Sequence, residues 1–272
     1  GDTLVLETTW VTASGRARVL DFMPLGEVNS VVRIVEGLSG ETHFEMDLVM
    51  RFDYGRSVPW VERLDPLTLS AVAGPDRLIL CSTVPPQARD HHTGCRFRVS
   101  TGQRQVFSLR HQPSHLPVQP DCNIDHALAN TCEQWQAFAD RCPQVGPYTA
   151  LVRRSLLTLK AMTYAPTGGI VAAVTTSLPE RVGGERNWDY RLCWLRDATM
   201  TLLAFMNLGY FDEAQAWREW LLRSVAGNPE QMQIMYGLAG ERDLQEYTLP
   251  WLAGYEHLSL IHISEPTRQE AI

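Results

Sequence analysis

The feature that most limits how this chain can fold is a change of hydrophobic period after residue 110. In HFEMDLVMRFDY, apolar Phe44, Met46, Leu48, Met50 and Phe52 alternate with Glu45, Asp47, Val49, Arg51 and Asp53. That period of two belongs to a strand with one buried face. TLVLETTWVT, RARVLDFM, SVVRIVEG, LTLSAVAG, RLILCSTV and CRFRVST read the same way, separated by Gly, Pro, Asn and Asp at short intervals. Beyond the Pro-rich HQPSHLPVQP the period becomes helical. ALANTCEQWQAFADRC is one candidate helix, and YTALVRRSLLTLKAMTY places Val152, Leu156 and Leu159 on one face. Strands followed by helices make an α+β multidomain class. The expected division is an antiparallel β-sandwich over 1–120, a helical linker over 121–144 and a helical domain over 145–257.

Two further helices follow an extended TGGIVAAVTTSLPE. DATMTLLAFMNLG stops at Gly209, and DEAQAWREWLLRSVAG has Asp212 as its cap, Trp217, Trp220, Leu221 and Val225 inward, and Gly227 past its end. Joined by so few residues, they should form an antiparallel pair. No repeat favours a solenoid.

Between these elements lies NWDYRLCWLRDA, Asn187 to Ala198, with two Trp, one Tyr, two Arg and two Asp in twelve residues. Such a density of both rings and charges suits a ligand that is polar yet carries an apolar face, as a pyranose does. Trp188, Tyr190, Trp194, Arg196 and Asp197 are the candidate substrate-binding residues. The structural alternative makes Asp197 a helix N-cap, worth about 1 kcal/mol, and Arg196 with Asp189 an ordinary surface pair.

The run from YAPTGGIVAAVTTSLPE through GGERNWDYRLCWLRDATMTLLAF to LPWLAGYE resembles glycoside hydrolase family 15, the family of glucoamylases, glucodextranases and bacterial trehalases. The resemblance spans most of 145–256. Residues 1–140 are similar more loosely, to the sandwich that precedes the barrel in bacterial members. It implies the first part of an (α/α)6 barrel and a pocket that closes on the non-reducing glucose of an α-glucoside. There Trp194 and Tyr190 would line the wall, and Arg196 and Asp197 would hydrogen-bond the glucose hydroxyls. The implied reaction is inverting, exo-acting hydrolysis, with one carboxylic acid protonating the leaving oxygen and a second carboxylate activating water. In the family both lie on later segments, so no catalytic residue is assigned in this chain, and Glu180, Glu185, Glu246 and Glu256 read as surface or structural acids. The alternatives are a disaccharide phosphorylase of similar architecture, in which bound phosphate replaces the base, and an inactive sugar-binding fragment.

The expected partner is therefore an α-glucan, a maltooligosaccharide or trehalose, with no cofactor and no metal. His91, His92 and Cys95 in ARDHHTGC are close in sequence, but adjacent histidines of a strand point to opposite faces. Six cysteines without C-x-x-C spacing suggest reduced thiols, and Cys193 reads as a packing residue. A formal charge of -7 gives no footprint for nucleic acid or an anionic membrane. No apolar run approaches the roughly 20 residues of a membrane span, and a cytoplasmic location is the expectation. The start inside a strand and the tail SLIHISEPTRQEAI, which reads as non-native over 258–272, suggest a fragment cut at both ends, inactive by itself and prone to aggregate over 130–257 through uncovered helix faces.

Overall fold

The computed structural model describes residues 1–26, 29–119, 123–175, 181–182, 189–225, 229–244 and 249–252. The chain is α+β, an N-terminal antiparallel sheet region followed by a few helices. It divides into two compact units between Ala137 and Phe138.

The first unit holds β1 (Leu6–Val11), β2 (Gly15–Phe22), β3 (Ser30–Leu48), β4 (Trp60–Asp65), β5 (Thr68–Ala73), β6 (Asp76–Ser82), β7 (Gln87–Arg89), β8 (His92–Ser100) and β9 (Arg104–Pro113). Their order is β1-β2-β3-β9-β6-β5-β4, with β8 on the far half of β3 and β7 on β8. Every pairing is antiparallel.

SVVRIVEG and HFEMDLVM, expected as separate strands, are one strand of 19 residues. β3 pairs with β2 and β9 over its first part, then with β8 from Glu41 to Leu48. The glycines between the two parts allow the change of partner rather than ending the strand. A Cβ on Gly37 would lie 2.1 Å from the Ser100 carbonyl oxygen, and Gly40 has φ +64. Gly37→Ala should therefore force backbone apart and cost about 1–3 kcal/mol, read as a lower urea midpoint with an unchanged slope. The strand stops at Leu48, short of the expected Tyr54. Asp53, Tyr54 and Gly55 all have positive φ and close a turn that brings Phe52 against Ser57.

Alternation along β2 and β3 gives the sheet two apolar faces. Leu20, Phe22, Val32 and Ile34 cluster with Ile124, Ala127 and Leu128 of helix α1 (Ile124–Asp140). On the other face Ala17, Val19, Val35 and Phe107 cluster with Cys95, Phe97 and Val99 of β8 and with Phe44 and Met46 of β3. The two ladders that share β3 thus share one core. The strand reading of ARDHHTGC is corrected by Asp90 and His91, whose φ values of 50 and 62 make the two-residue turn between β7 and β8. Among the described residues no group of three or more His, Cys, Asp or Glu is placed to hold a metal.

The second unit carries α2 (Thr149–Ala161), two short ladders, β10 (Thr163–Tyr164) with β11 (Gly169–Ile170) and β12 (Cys193–Trp194) with β13 (Met235–Tyr236), and helices α3 (Leu195–Asn207) and α4 (Phe211–Ser224). α3 ends in a Schellman motif. Gly209, at φ +83, donates its N–H to the Met206 carbonyl, and Tyr210 donates to that of Phe205. The expected cap of α4 is corrected: Tyr210 occupies the N-cap and Asp212 lies in the first turn, where a carboxylate suits the helix dipole.

Ile170, Cys193, Ala198, Trp217, Trp220 and Tyr236 form the core of this unit, with Leu221 and Val225 packed against it. Beside it, buried Glu213 takes hydrogen bonds from Arg141 and Lys160, the latter at 3.3 Å. The Arg141 guanidinium lies 4.5 Å from the centre of the Tyr210 ring. One carboxylate thus holds the start of α4 to the end of α2. A second apolar stripe of α3, Met200, Leu203 and Met206, faces solvent. Among the described residues no helix is long and apolar enough to cross a membrane.

Candidate functional site

The described part of the aromatic and charged motif, Asp189 to Ala198, runs from a turn through β12 into the first turn of α3. It is held from two sides. Ala172 and Ala173 donate backbone N–H groups to the carbonyls of Leu192 and Tyr190, and β13 pairs Cys193 with Tyr236 and Trp194 with Met235. The Leu195 N–H reaches the Ile234 carbonyl at 3.0 Å. These bonds satisfy the extended backbone that a local hydrophobic pattern could not predict.

Asp189 anchors the turn. It is 2% exposed and accepts from the backbone N–H of Arg191 at 3.0 Å and from its guanidinium at 3.1 and 2.9 Å. Its carbonyl also receives the Trp194 indole N–H at 3.1 Å. The alternative reading of Asp189 and Arg196 as a surface pair is therefore corrected. Asp189 pairs inward with Arg191, and Arg196 pairs with Asp197, Nη2 to Oδ2 at 3.1 Å. The signal for Asp189 was its spacing: an Asp two residues before a backbone donor forms a local turn.

Four of the five candidate residues are described, and they are neighbours. The Tyr190 and Trp194 rings lie 5.8 Å apart, tilted by 42°. The Arg196 guanidinium sits 5.7 Å from the centre of the Trp194 ring. Both rings are half-buried, Asp197 keeps a third of its side chain exposed, and Arg196 two thirds. A pair as open as Arg196 with Asp197 adds little stability. Asp197 is not the N-cap of α3. Trp194 occupies that position in extended conformation and makes no side-chain cap bond, while Asp197 lies in the first turn. Trp188 lies outside the described residues, as do Glu180, Glu185, Glu246 and Glu256.

Cys193, beneath the motif, is fully buried. Burial pushes its thiol up to about 11. Below about pH 9 the thiol is neutral in both the folded and unfolded chain. Between 9 and 11 the unfolded chain loses that proton first, so stability should fall by on the order of 2–3 kcal/mol as pH rises to 11. Denaturation at pH 8 and pH 11 checks this, because Cys193→Ala should remove that part of the alkaline loss.

Comparison with known proteins shows what these residues are similar to. Residues 146–261 match the sequence model of glycosyl hydrolases family 15. A trehalase of Mycobacterium tuberculosis is 32% identical over 96% of this chain and 43% of its own length. A trehalase of Mycolicibacterium smegmatis is 33% identical with the same two coverages, and one of Thermoplasma volcanium is 29% identical over 84% of the chain and 37% of its own length. The chain thus spans less than half the length of the trehalases it matches. A solved chain from the human microbiome, assigned as a kojibiose phosphorylase, is 9% identical at a TM-score of 0.46, covering 80% of this chain and 34% of that one. The match over 146–261 and the relatives that align with nearly the whole sequence support a family like glycosyl hydrolases family 15 for this chain.

Proposed function

We propose that this chain supplies one wall of the sugar pocket of an inverting, exo-acting α-glucoside hydrolase, with trehalose as the first substrate to test. The observation that carries the reading is the tilted Tyr190–Trp194 ring pair beside the Arg196–Asp197 ion pair. A glucose ring would lay its C–H face on the indole, where stacking gains from both area and geometry. Arg196 engages Oδ2 of Asp197, so Oδ1 and the other guanidinium donors are the groups that glucose hydroxyls would meet. The hydrogen bonds that hold residues 190–195 supply the stiffness such a wall needs.

The helices fit best as the first hairpins of an (α/α)6 barrel. Support comes from the solvent-facing stripe of Met200, Leu203 and Met206, which is the surface a neighbouring hairpin would cover. In this reading the general acid and general base stand on other segments of the enzyme, and no described residue takes either role. The test is turnover of trehalose and maltooligosaccharides by the protein that contains this chain, with product anomer read by NMR. β-Glucose released without added phosphate is the expected result. Turnover that needs phosphate would make it a phosphorylase, and no turnover of any α-glucoside would reject the reading.

A further inference from the structure

The core shared by the two ladders of the first unit borders a cavity of 520 Å³, within the range of about 300–1,000 Å³ that takes a small molecule. Thr8 and Trp10 of β1 stand opposite Val19 and Ala17, so both share the sheet face that buries those two residues. Two residues beyond Val19 on that face, Asp21 stands opposite Arg33 of β3. The second part of β3 contributes Thr42, Phe44 and Met46, its alternate residues. Phe44, Phe97 and Phe107 line the cavity as a continuous aromatic run, with ring centres 5.5 and 5.4 Å apart. Two features distinguish this cavity from a packing gap. Trp10 is 52% exposed although it stands on the core face of the sheet. Thr42 is 2% exposed, and its hydroxyl has no hydrogen-bond partner among the described residues, which is costly for a buried polar group.

The charged groups at the rim are matched to one another. Asp21 takes two hydrogen bonds from Arg33, at 2.6 and 3.0 Å. His43 lies 3.1 Å from Glu41, Glu45 the same distance from Arg96, and Asp47 from His92. A charged ligand would find no uncompensated partner there. Neutral hydroxyls can still bond the outer lone pairs and N–H groups of a pair such as Asp21 with Arg33, and the hydroxyl of Thr8. We infer that the cavity binds a neutral glycoside with an apolar aglycone. The aglycone would lie against Phe44 and Phe107, and the sugar would stack its C–H face on Trp10 with its hydroxyls toward Thr8, Asp21 and Arg33. Thr42 would donate to the glycosidic oxygen between the two halves. A free sugar would set hydroxyls against the phenyl rings, and a hydrocarbon would leave Thr42 unpaired. This site is separate from the Tyr190–Trp194 wall and does not rest on it.

The test is hydrogen exchange by mass spectrometry, with saturation-transfer NMR, on the whole 272-residue chain. Phenyl β-glucoside is the probe, and glucose and benzoate are the comparators. The glycoside should slow exchange over residues 6–12 and 42–46 and show its strongest saturation at the phenyl protons. It should bind at least about tenfold more tightly than either comparator. Thr42→Val keeps the shape and removes the hydroxyl. It should weaken the glycoside about tenfold while raising the urea midpoint of the free protein, the reverse of what a structural hydroxyl would do. Trp10→Ala, at a half-exposed position, should weaken the glycoside about as much without lowering that midpoint. No protection over those residues, a comparator that binds as tightly as the glycoside, unchanged affinity in either variant, or protection that rises with protein concentration alone would each overturn the inference. The readout lies on β1 and β3, so this result and that for the Tyr190–Trp194 wall are decided separately.

Discussion

Asp197→Asn is expected to lower kcat/KM for trehalose about 10- to 150-fold in the protein that carries this chain. That range is the rate equivalent of one hydrogen bond to a charged group. The substitution keeps the size of the side chain and removes the charge that would hold a glucose hydroxyl. In the proposed pocket that hydroxyl would stay bound through the reaction, so KM should rise and kcat fall together. Steady-state kinetics checks this against a thermal melt of the same variant. Asp197 sits in the first turn of α3 without a cap bond, so its loss there should cost no more than about 1 kcal/mol. Unchanged kinetics with a lowered melting point would reduce Asp197 to a helix-dipole partner.

The largest stability effect is expected at Trp220, where truncation to Ala should cost about 3–5 kcal/mol. The side chain is fully buried, meets Tyr236 edge-on at 5.9 Å and donates its indole N–H to the Leu238 carbonyl at 2.8 Å. A Cβ on Gly169 would come within 3.0 Å of that nitrogen, so the backbone already approaches the ring closely. The cavity would open directly behind β13, the strand that pairs with Cys193 and Trp194. Weaker sugar binding should therefore accompany the loss of stability, whereas Trp220→Phe, which keeps most of the volume, should retain more of both. Urea denaturation followed by circular dichroism gives the magnitude, and a loss below about 1 kcal/mol would show that the core collapses onto the gap.

These two residues show unequal legibility in the sequence. Trp217 and Trp220 announced themselves through helical spacing, because α4 buries one face against the unit's core. Alternation found Phe44 and Met46 for the same reason. β9 was hidden because buried Arg110 and Gln112 occupy its inward row, and a polar residue that finds partners inside breaks the apolar pattern. β4 was hidden because it is exposed along its whole length. The Gly37 to Gly40 stretch looked like a break, yet its glycines serve close backbone approach, which depends on strands distant in sequence.

At the site, the proximity of Tyr190, Trp194, Arg196 and Asp197 followed from their spacing, since eight residues leave little room to separate. Their pairing did not. Asp189 turned inward because its backbone neighbour Arg191 could meet both of its oxygens. That freed Arg196 to lie against Trp194 and Asp197. Which of two nearby carboxylates an arginine takes is decided by the turn, and the turn is fixed by hydrogen bonds to residues 172–173 and 234–236.

A crystal structure of the enzyme containing this chain, with an unhydrolysed α-glucoside bound, tests the central proposition most directly. The account predicts a terminal glucose stacked on Trp194 and Tyr190, with hydroxyls about 3 Å from Asp197 and Arg196. A terminal glucose seated elsewhere, with these four side chains packed away from it, would contradict it.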